Sequence, residues 1–369
     1  MTKVPFLDVG ASYRDLKTEI DEAVGRVLAS GWYILGPEVV TFEEAFAASC
    51  GAAHVAGVAS GLDALHLVLQ AWNIGPGDEV IVASNAYIAT WLAVSMTGAV
   101  PVPIEPREET CNLDPDRLEA AITPRTRVVL PVHLYGQTAE MTAIVAIARR
   151  HGLRVLEDAA QAHGARFDGQ PAGVLGDAAA WSFYPTKNLG AFGDAGAVMT
   201  NDAETADRVR LLRNYGSRRK YENDIAGYNS RLDPLQAAVL GVKLKHLEVW
   251  NGRRRRLADR YQAGLAGCAD LALPAVAAGA DPAWHVYVVR TPHRDALQAH
   301  LTHAGVETLI HYPIAPHQSG AYRASPWASA SFPIAERLAQ QVLSLPIGPH
   351  LSDSAQDQVI DAVRSFSPQ

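Results

Sequence analysis

Cysteine is scarce in this chain. Cys50, Cys111 and Cys268 are odd in number and far apart, with no CxxC pair. That excludes a disulfide framework and a cysteine-based metal or redox centre, and suits reduced, mostly packed thiols in a cytoplasmic protein. An excess of positive charge is also missing: 32 basic residues against 39 acidic ones give a net charge of −7, which offers no broad field for a nucleic-acid backbone. Arg253–Arg256 form the local exception, but consecutive residues point in different directions around a helix and cannot all meet one groove. Apolar stretches such as 53–60 and 89–103 are broken by Gly, Pro or polar residues, well short of the ~20 apolar residues of a membrane-spanning helix. Asp8 and Arg14 interrupt the N-terminal segment too early for an export signal. Neither nucleic acid nor membrane is therefore expected as a partner.

Several catalytic fingerprints are absent as well. Without GxxxxGK[ST], GxGxxG, GxSxG or HExxH, the chain lacks the usual marks of nucleotide hydrolysis, dinucleotide redox chemistry, serine hydrolysis and zinc proteolysis. His133, His163, His311 and His317 are scattered, so no metal site is expected.

What is present is a hydrophobic content of 48% over 369 residues, ample for a large core. Seven short apolar runs alternate with helical segments: His54 to Ala59, Glu79 to Ala83, Ala99 to Ile104, Arg127 to Pro131, Leu153 to Leu156, Ala178 to Phe183 and Ala195 to Thr200. Such strands predict an α/β fold with a mostly parallel sheet covered on both faces. Helix starts are marked by Ser60 before LDALHLVLQAW, Asp114 before PDRLEAAI, and Asp202 before AETADRVRLLRNYG, which is expected to end at Gly216. Residues 216–229 read as a long surface excursion. The texture changes near residue 250, predicting a large domain over 1–250 and a smaller α+β domain over 251–369.

Ligands of open parallel sheets bind beyond the carboxyl ends of the strands, and three segments stand there. In ASGLDAL, residues 59–65, Ser60 and Gly61 at a helix start make a phosphate cradle or a plain N-cap. In LEDAAQAHGA, residues 156–165, Glu157 and Asp158 end a strand. A carboxylate there pairs with a protonated heterocycle nitrogen, or merely caps a helix, since Asp158 and Gln161 have capping-box spacing. In WSFYPTKNLGAFGDAGAVMTN, residues 181–201, Lys187 sits between a strand and a Gly-rich turn. A lysine amine condenses with an aldehyde once its surroundings ease loss of the proton. Together the three segments suit pyridoxal 5′-phosphate.

These motifs, with GWYILGPEVVTFEEAFA, SNAYIATWLAVSMTGAVPV, PVHLYGQ, LRNYGSRRKY, GYNSRLDPLQAAVL, IHYPIAPH and LSLPIGPHLS, make the chain similar over nearly its whole length to the DegT/DnrJ/EryC1/StrS sugar aminotransferases. The resemblance implies an aspartate-aminotransferase-like (fold type I) homodimer with active sites shared between subunits. Lys187 would form the Schiff base, Asp158 would pair with the pyridine nitrogen, and Gln161 would lie near the 3-oxygen. Ser60, Gly61, Leu62 and Ser182 would meet the phosphate, joined by Asn229 of the neighbouring subunit, and Tyr87 would stack on the ring. Leu62 stands where many relatives have Thr, so the phosphate relies more on backbone donors; Ala83 and Ala86 replace a frequent Pro and Thr.

The same resemblance implies amino transfer from L-glutamate to a nucleotide-linked keto sugar, with a dTDP-linked 3-keto-6-deoxyhexose as the expected acceptor. Tyr184, His311 and Tyr312 would contact the sugar, and Arg219, Lys220 and Tyr221 the pyrophosphate. The alternatives are a solvated loop at 219–221, a buried hydrogen-bonded role for His311, amination at C4 or on a UDP- or GDP-linked sugar, and a dehydratase of the same fold. Lys187, which is His in the dehydratase branch, favours aminotransfer.

Overall fold

In the computed structural model, which describes residues 3–367, all seven apolar runs become strands of one sheet. The outermost residues of the two expected domain spans, 1–2 and 368–369, lie outside the described residues. The strands are β1 (His54–Val58), β2 (Glu79–Ala83), β3 (Val100–Ile104), β4 (Thr126–Leu130), β5 (Arg154–Asp158), β6 (Ala178–Ser182) and β7 (Gly196–Thr200). Their order across the sheet is β1-β7-β6-β5-β4-β2-β3. Only β7 runs antiparallel to its neighbours, so β1, β6, β5, β4, β2 and β3 all point their carboxyl ends to one edge. Val80, Ile81, Val82, Val128 and Val129 are fully buried, as strands covered on both faces must be.

A large cluster built around Leu65, Trp91 and Leu130 takes in side chains from both faces of β2 and β4. A second packs Phe42, Phe46, Trp181 and Phe183, where Phe42 and Phe46 stack on each other and meet Trp181 and Phe183 edge-on at 5.2–5.4 Å, favoured aromatic geometries. Helix α1 (Gly61–Ala71) comes after β1, and α2 (Ile88–Met96) after β2. Farther along come α3 (Ala203–Leu212), α4 (Pro234–Leu244) and α5 (Leu247–Leu265).

A separate core forms around β8 (Tyr287–Arg290) and β9 (Val342–Leu345), which pair antiparallel. Val4 joins this second cluster and bridges to Val306. Residue 250, where the texture of the sequence changes, falls inside α5. The start of that helix packs Leu247 and Trp250 on the first body, and its later turns contribute Leu257, Ala258, Tyr261 and Leu265 to the second.

Three local expectations are corrected. After Asp114 there are only two short 3-10 turns, Pro115–Arg117 and Glu119–Ala121, although Asp114 still caps by accepting the Asp116 N–H at 3.1 Å. Helix α3 is capped by Asp202 as expected but stops at Leu212 rather than Gly216. Its continuation turns aside because the Tyr215 and Tyr228 backbones bond to each other at 2.8 Å and Asn214 bridges to Asn229. No helix succeeds Asp158, so the capping-box reading of Asp158 and Gln161 fails; Asp158 Oδ1 only accepts the Ala160 N–H at 3.2 Å. The excursion after Gly216 holds a small exposed hairpin, Ser217–Arg219 with Glu222–Asn223.

Alternation along β5 sends neighbouring carboxylates to opposite faces. Glu157 is fully buried and accepts the N–H groups of Gly173, Leu175 and Gly176 at 2.8, 2.8 and 2.7 Å. His133 Nε2 lies 2.8 Å from the same carboxylate. Glu157 therefore pins a loop. Glu157→Ala strands the buried Gly173 donor and two part-buried ones, and at ~1–3 kcal/mol for a buried unsatisfied donor urea unfolding should show a loss of about 3 kcal/mol.

Candidate active site

The site is assembled at the carboxyl edge of the sheet, from the segments that leave the strands there. After β1, Ser60 caps α1 by accepting the Asp63 N–H at 3.1 Å, leaving the earliest amides of the helix open toward an anion. Space is what Gly61 supplies: a Cβ there would lie 2.6 Å from Ser182 Cβ. Ser182, closing β6, is thus brought against the start of α1. Leu62 turns away from this cradle and packs on the main cluster.

Beyond β6 the chain makes a tight turn that presents Lys187. The Lys187 N–H donates to the Tyr184 carbonyl at 2.8 Å, and Ala191 N–H closes the turn on Phe183 at 2.8 Å. Gly190 is required, because a Cβ there would meet the Pro185 carbonyl oxygen at 2.4 Å. Two further clamps hold it: Lys243 donates to the Gly190 carbonyl at 2.7 Å, and Asn188 donates to Asn251 and the Ala283 carbonyl at 3.0 and 2.8 Å. The Lys187 amine itself makes no hydrogen bond or ion pair with the described residues. Burial outweighs the opposing attraction of Asp158 and pulls its pKa down to about 8.

Asp158, 6% exposed at the end of β5, accepts a hydrogen bond from Thr90 Oγ1 at 2.8 Å. Burial raises its pKa, opposed by the bonds from Thr90 and Ala160 and by the charge of Lys187. Such a carboxylate gains from a cation brought to it. Gln161 is buried one turn on: its amide oxygen accepts the Tyr135 N–H at 2.6 Å and its amide nitrogen donates to Tyr312 Oη at 3.0 Å. Tyr312 lies against Tyr87, ring centroids 4.9 Å apart. Tyr87 is half exposed at the start of α2.

His311 Nδ1 bonds to Ser344 Oγ at 2.7 Å, and its carbonyl accepts from the Tyr135 hydroxyl. Burial, with the Lys187 charge nearby, pushes its pKa down to about 4, so the ring is neutral. His163 is also neutral, brought to about 3 by burial beside Trp181 and Phe183 and by the charge of Lys187. Tyr184 stands exposed next to the Lys187 turn.

The remaining expected residues are not drawn into this cluster within one chain. Arg219, Lys220 and Tyr221 sit on the exposed hairpin, with Lys220 Nζ 5.2 Å from the Tyr221 ring centroid. Asn229 is exposed and paired only through its backbone bridge to Asn214. The four arginines after Gly252 form no single basic face: Arg254 is buried against the carbonyls of Trp284 and His285, and Arg255 pairs with Glu248.

Several residues of the site escape sequence reading. Thr90 lies in an apolar helix, and Lys243, Asn188 and Tyr135 reach it through space. Thr90, Asn188 and Tyr135 do stand inside SNAYIATWLAVSMTGAVPV, WSFYPTKNLGAFGDAGAVMTN and PVHLYGQ, but nothing local says what they touch, and Lys243 leaves no trace at all.

Residues 14–364 match the model of the DegT/DnrJ/EryC1/StrS aminotransferase family. The dTDP-3-amino-3,4,6-trideoxy-alpha-D-glucose transaminase of Streptomyces venezuelae is 56% identical over 365 residues, covering 99% of this chain and 96% of that protein. The dTDP-3-amino-3,6-dideoxy-alpha-D-galactopyranose transaminase of Aneurinibacillus thermoaerophilus is 51% identical over 98% of this chain and 99% of its own length. Among solved structures, S. venezuelae DesV in complex with a ketimine intermediate superposes with a TM-score of 0.97 at 57% identity, covering 99% of this chain and 98% of that one.

The lowered amine pKa sets a pH profile. The neutral amine is the nucleophile, so aldehyde capture by the cofactor-free protein should rise about tenfold per pH unit below the midpoint. It should level off above about 8. Stopped-flow absorbance across the range checks this; a rate still climbing toward the ordinary lysine value of 10.5 would contradict the buried environment.

Proposed function

The chain belongs to the DegT/DnrJ/EryC1/StrS aminotransferase family, and from this we propose that it moves an amino group from L-glutamate to carbon 3 of a dTDP-linked keto-6-deoxyhexose. The cofactor is pyridoxal 5′-phosphate. The observation that carries the reading is the part-buried Lys187, whose amine has no hydrogen-bond or ion-pair partner among the described residues, within the electrostatic reach of Asp158 beside the open start of α1. The residues fit the cofactor at three points: an amine with a depressed pKa, a buried carboxylate lacking a cation, and a helix start cleared by Gly61.

When bound, the cofactor supplies an aldehyde for the amine and a ring that takes up electrons from the reacting carbon. Lys187 would hold the cofactor through its Nζ, and the free amine would move a proton at the reacting carbon. Asp158 holds the ring nitrogen protonated, which favours the electron-accepting form; Thr90 keeps that carboxylate oriented. The α1 amides, Ser60 and Ser182 bind the phosphate, and Tyr87 covers the ring. Tyr184 and His311 stand where the sugar enters, and His311 stays neutral there.

Support for C3 and for a dTDP carrier comes from the S. venezuelae and A. thermoaerophilus transaminases, both of which act on dTDP-3-amino sugars by their names. Surface chemistry supports a homodimer. Trp32, Tyr33 and Ile34 are three consecutive large side chains left 50–58% exposed, an apolar run that favours burial against another copy. Asn229 and the Arg219–Tyr221 hairpin lie exposed and are free to reach a neighbouring subunit's phosphate and pyrophosphate. No helix among the described residues is long and apolar enough to cross a membrane. The three unpaired cysteines suit the reducing cytoplasm.

Incubation with L-glutamate and a panel of keto-sugar nucleotides, with the products read by mass spectrometry, tests the reading. The expected product is the amine from the dTDP-linked 3-keto sugar, and borohydride should fix the cofactor to Lys187. Lys187→Ala should lose roughly a thousandfold in turnover. Loss of water from the sugar, or turnover of the Lys187 variant at the normal rate, would refute the assignment.

A further inference from the structure

We infer that Tyr312 is a positioning residue for the cofactor: its hydroxyl, by accepting one N–H of Gln161, aims the other at the oxygen beside the reacting carbon. This deepens the proposed function and rests on it. The first step is the orientation of the Gln161 amide. Tyr135 offers only a backbone N–H, at 2.6 Å, so the oxygen of the amide must face it and the nitrogen must face the site. That nitrogen has two protons, and Tyr312 Oη, 3.0 Å away, takes one. No other described residue takes the second.

The strand order then says where the second proton points. The phosphate cradle lies at the end of β6, Asp158 ends β5, and Tyr135 lies just past β4, so the three stand in sequence along the edge of the sheet. In pyridoxal phosphate the phosphate arm and the ring oxygen flank the reacting carbon on opposite sides. With the ring nitrogen at Asp158 and the phosphate on the β6 side, the oxygen falls on the β4 side, where Gln161 is held. Tyr312 is kept in place by the Tyr87 ring, 4.9 Å away. The hydroxyl is thus turned to Gln161 rather than to the sugar, the contact that the family resemblance implies.

The consequence is chemical. The ring oxygen carries most negative charge when the nitrogen joining cofactor and lysine has lost its proton, so a donor to that oxygen favours the deprotonated state and lowers the pKa of the linkage. Removing the donor, or letting it swing away, raises that pKa. Other groups facing the same space are Asp158, Lys187, Tyr87, Tyr135, His163, His285 and His311, and all of them are retained when Tyr312 or Gln161 is replaced.

The test is a pH titration of the visible absorbance of the holoenzyme, with borohydride labelling of Lys187 as its control. Tyr312→Phe keeps the ring and removes only the hydroxyl of a partly exposed side chain, so the fold survives; the unfolding midpoint is measured alongside. Both Y312F and Q161A should raise the titration midpoint by about one pH unit, roughly tenfold in proton affinity. The double variant should shift no further than Q161A alone, because Tyr312 acts through Gln161. A Y312F enzyme that titrates like wild type overturns the inference, as do shifts that add in the double variant. A wild-type protein with no labelled Lys187 would instead overturn the cofactor assignment itself, and this inference with it.

Discussion

Everything in this site depends on a buried carboxylate and a part-buried amine that feel each other without pairing. Asp158 and Lys187 form no ion pair, yet each shifts the proton affinity of the other. Burial works on both in the unfavourable direction, raising the acid and lowering the base. A protein with no use for them would bring them into contact or replace them with apolar residues. Kept apart, they leave room for a flat molecule that is cationic at one end and electrophilic at the other.

The scaffold holds this unpaired couple through neighbouring groups that do find partners. Glu157, adjacent to Asp158 in sequence, faces the other way and gathers three backbone donors. The turn bearing Lys187 is fixed at Gly190 by steric necessity and by the Lys243 ammonium. Lys243 has no carboxylate partner among the described residues; it rests on one carbonyl and on the Phe192 ring, 4.2 Å from its centroid. Neutral histidines surround the site, so the charge near Lys187 is dominated by Asp158.

Much of this is legible in the sequence. All seven strands are visible because doubly covered strands are continuous runs of Val, Ile and Ala, and residues at their carboxyl ends fall on one edge by topology alone. Ser60 and Asp202 cap the helices they precede. What stays hidden depends on contacts between distant segments. PDRLEAAI has helical periodicity yet forms only short turns, and the helix after Asp202 gives up its last turn to a pairing with residues 228–229. Thr90 and Lys243 sit among apolar helical neighbours and carry no local mark of their work. The choice between cap and ligand at Asp158 is open from spacing and closes once no helix succeeds it.

Helix α5 has a mechanical meaning beyond packing. Asn251, in its first turns, bonds to Asn188 beside Lys187 and to the His163 carbonyl. One turn later Arg254 grips the carbonyls of Trp284, His285 and Ile347 in the second body. A single stiff rod thus couples the reactive turn to the C-terminal unit. Loss of either anchor, at Asn251 or at Arg254, would therefore be felt at both ends of the rod.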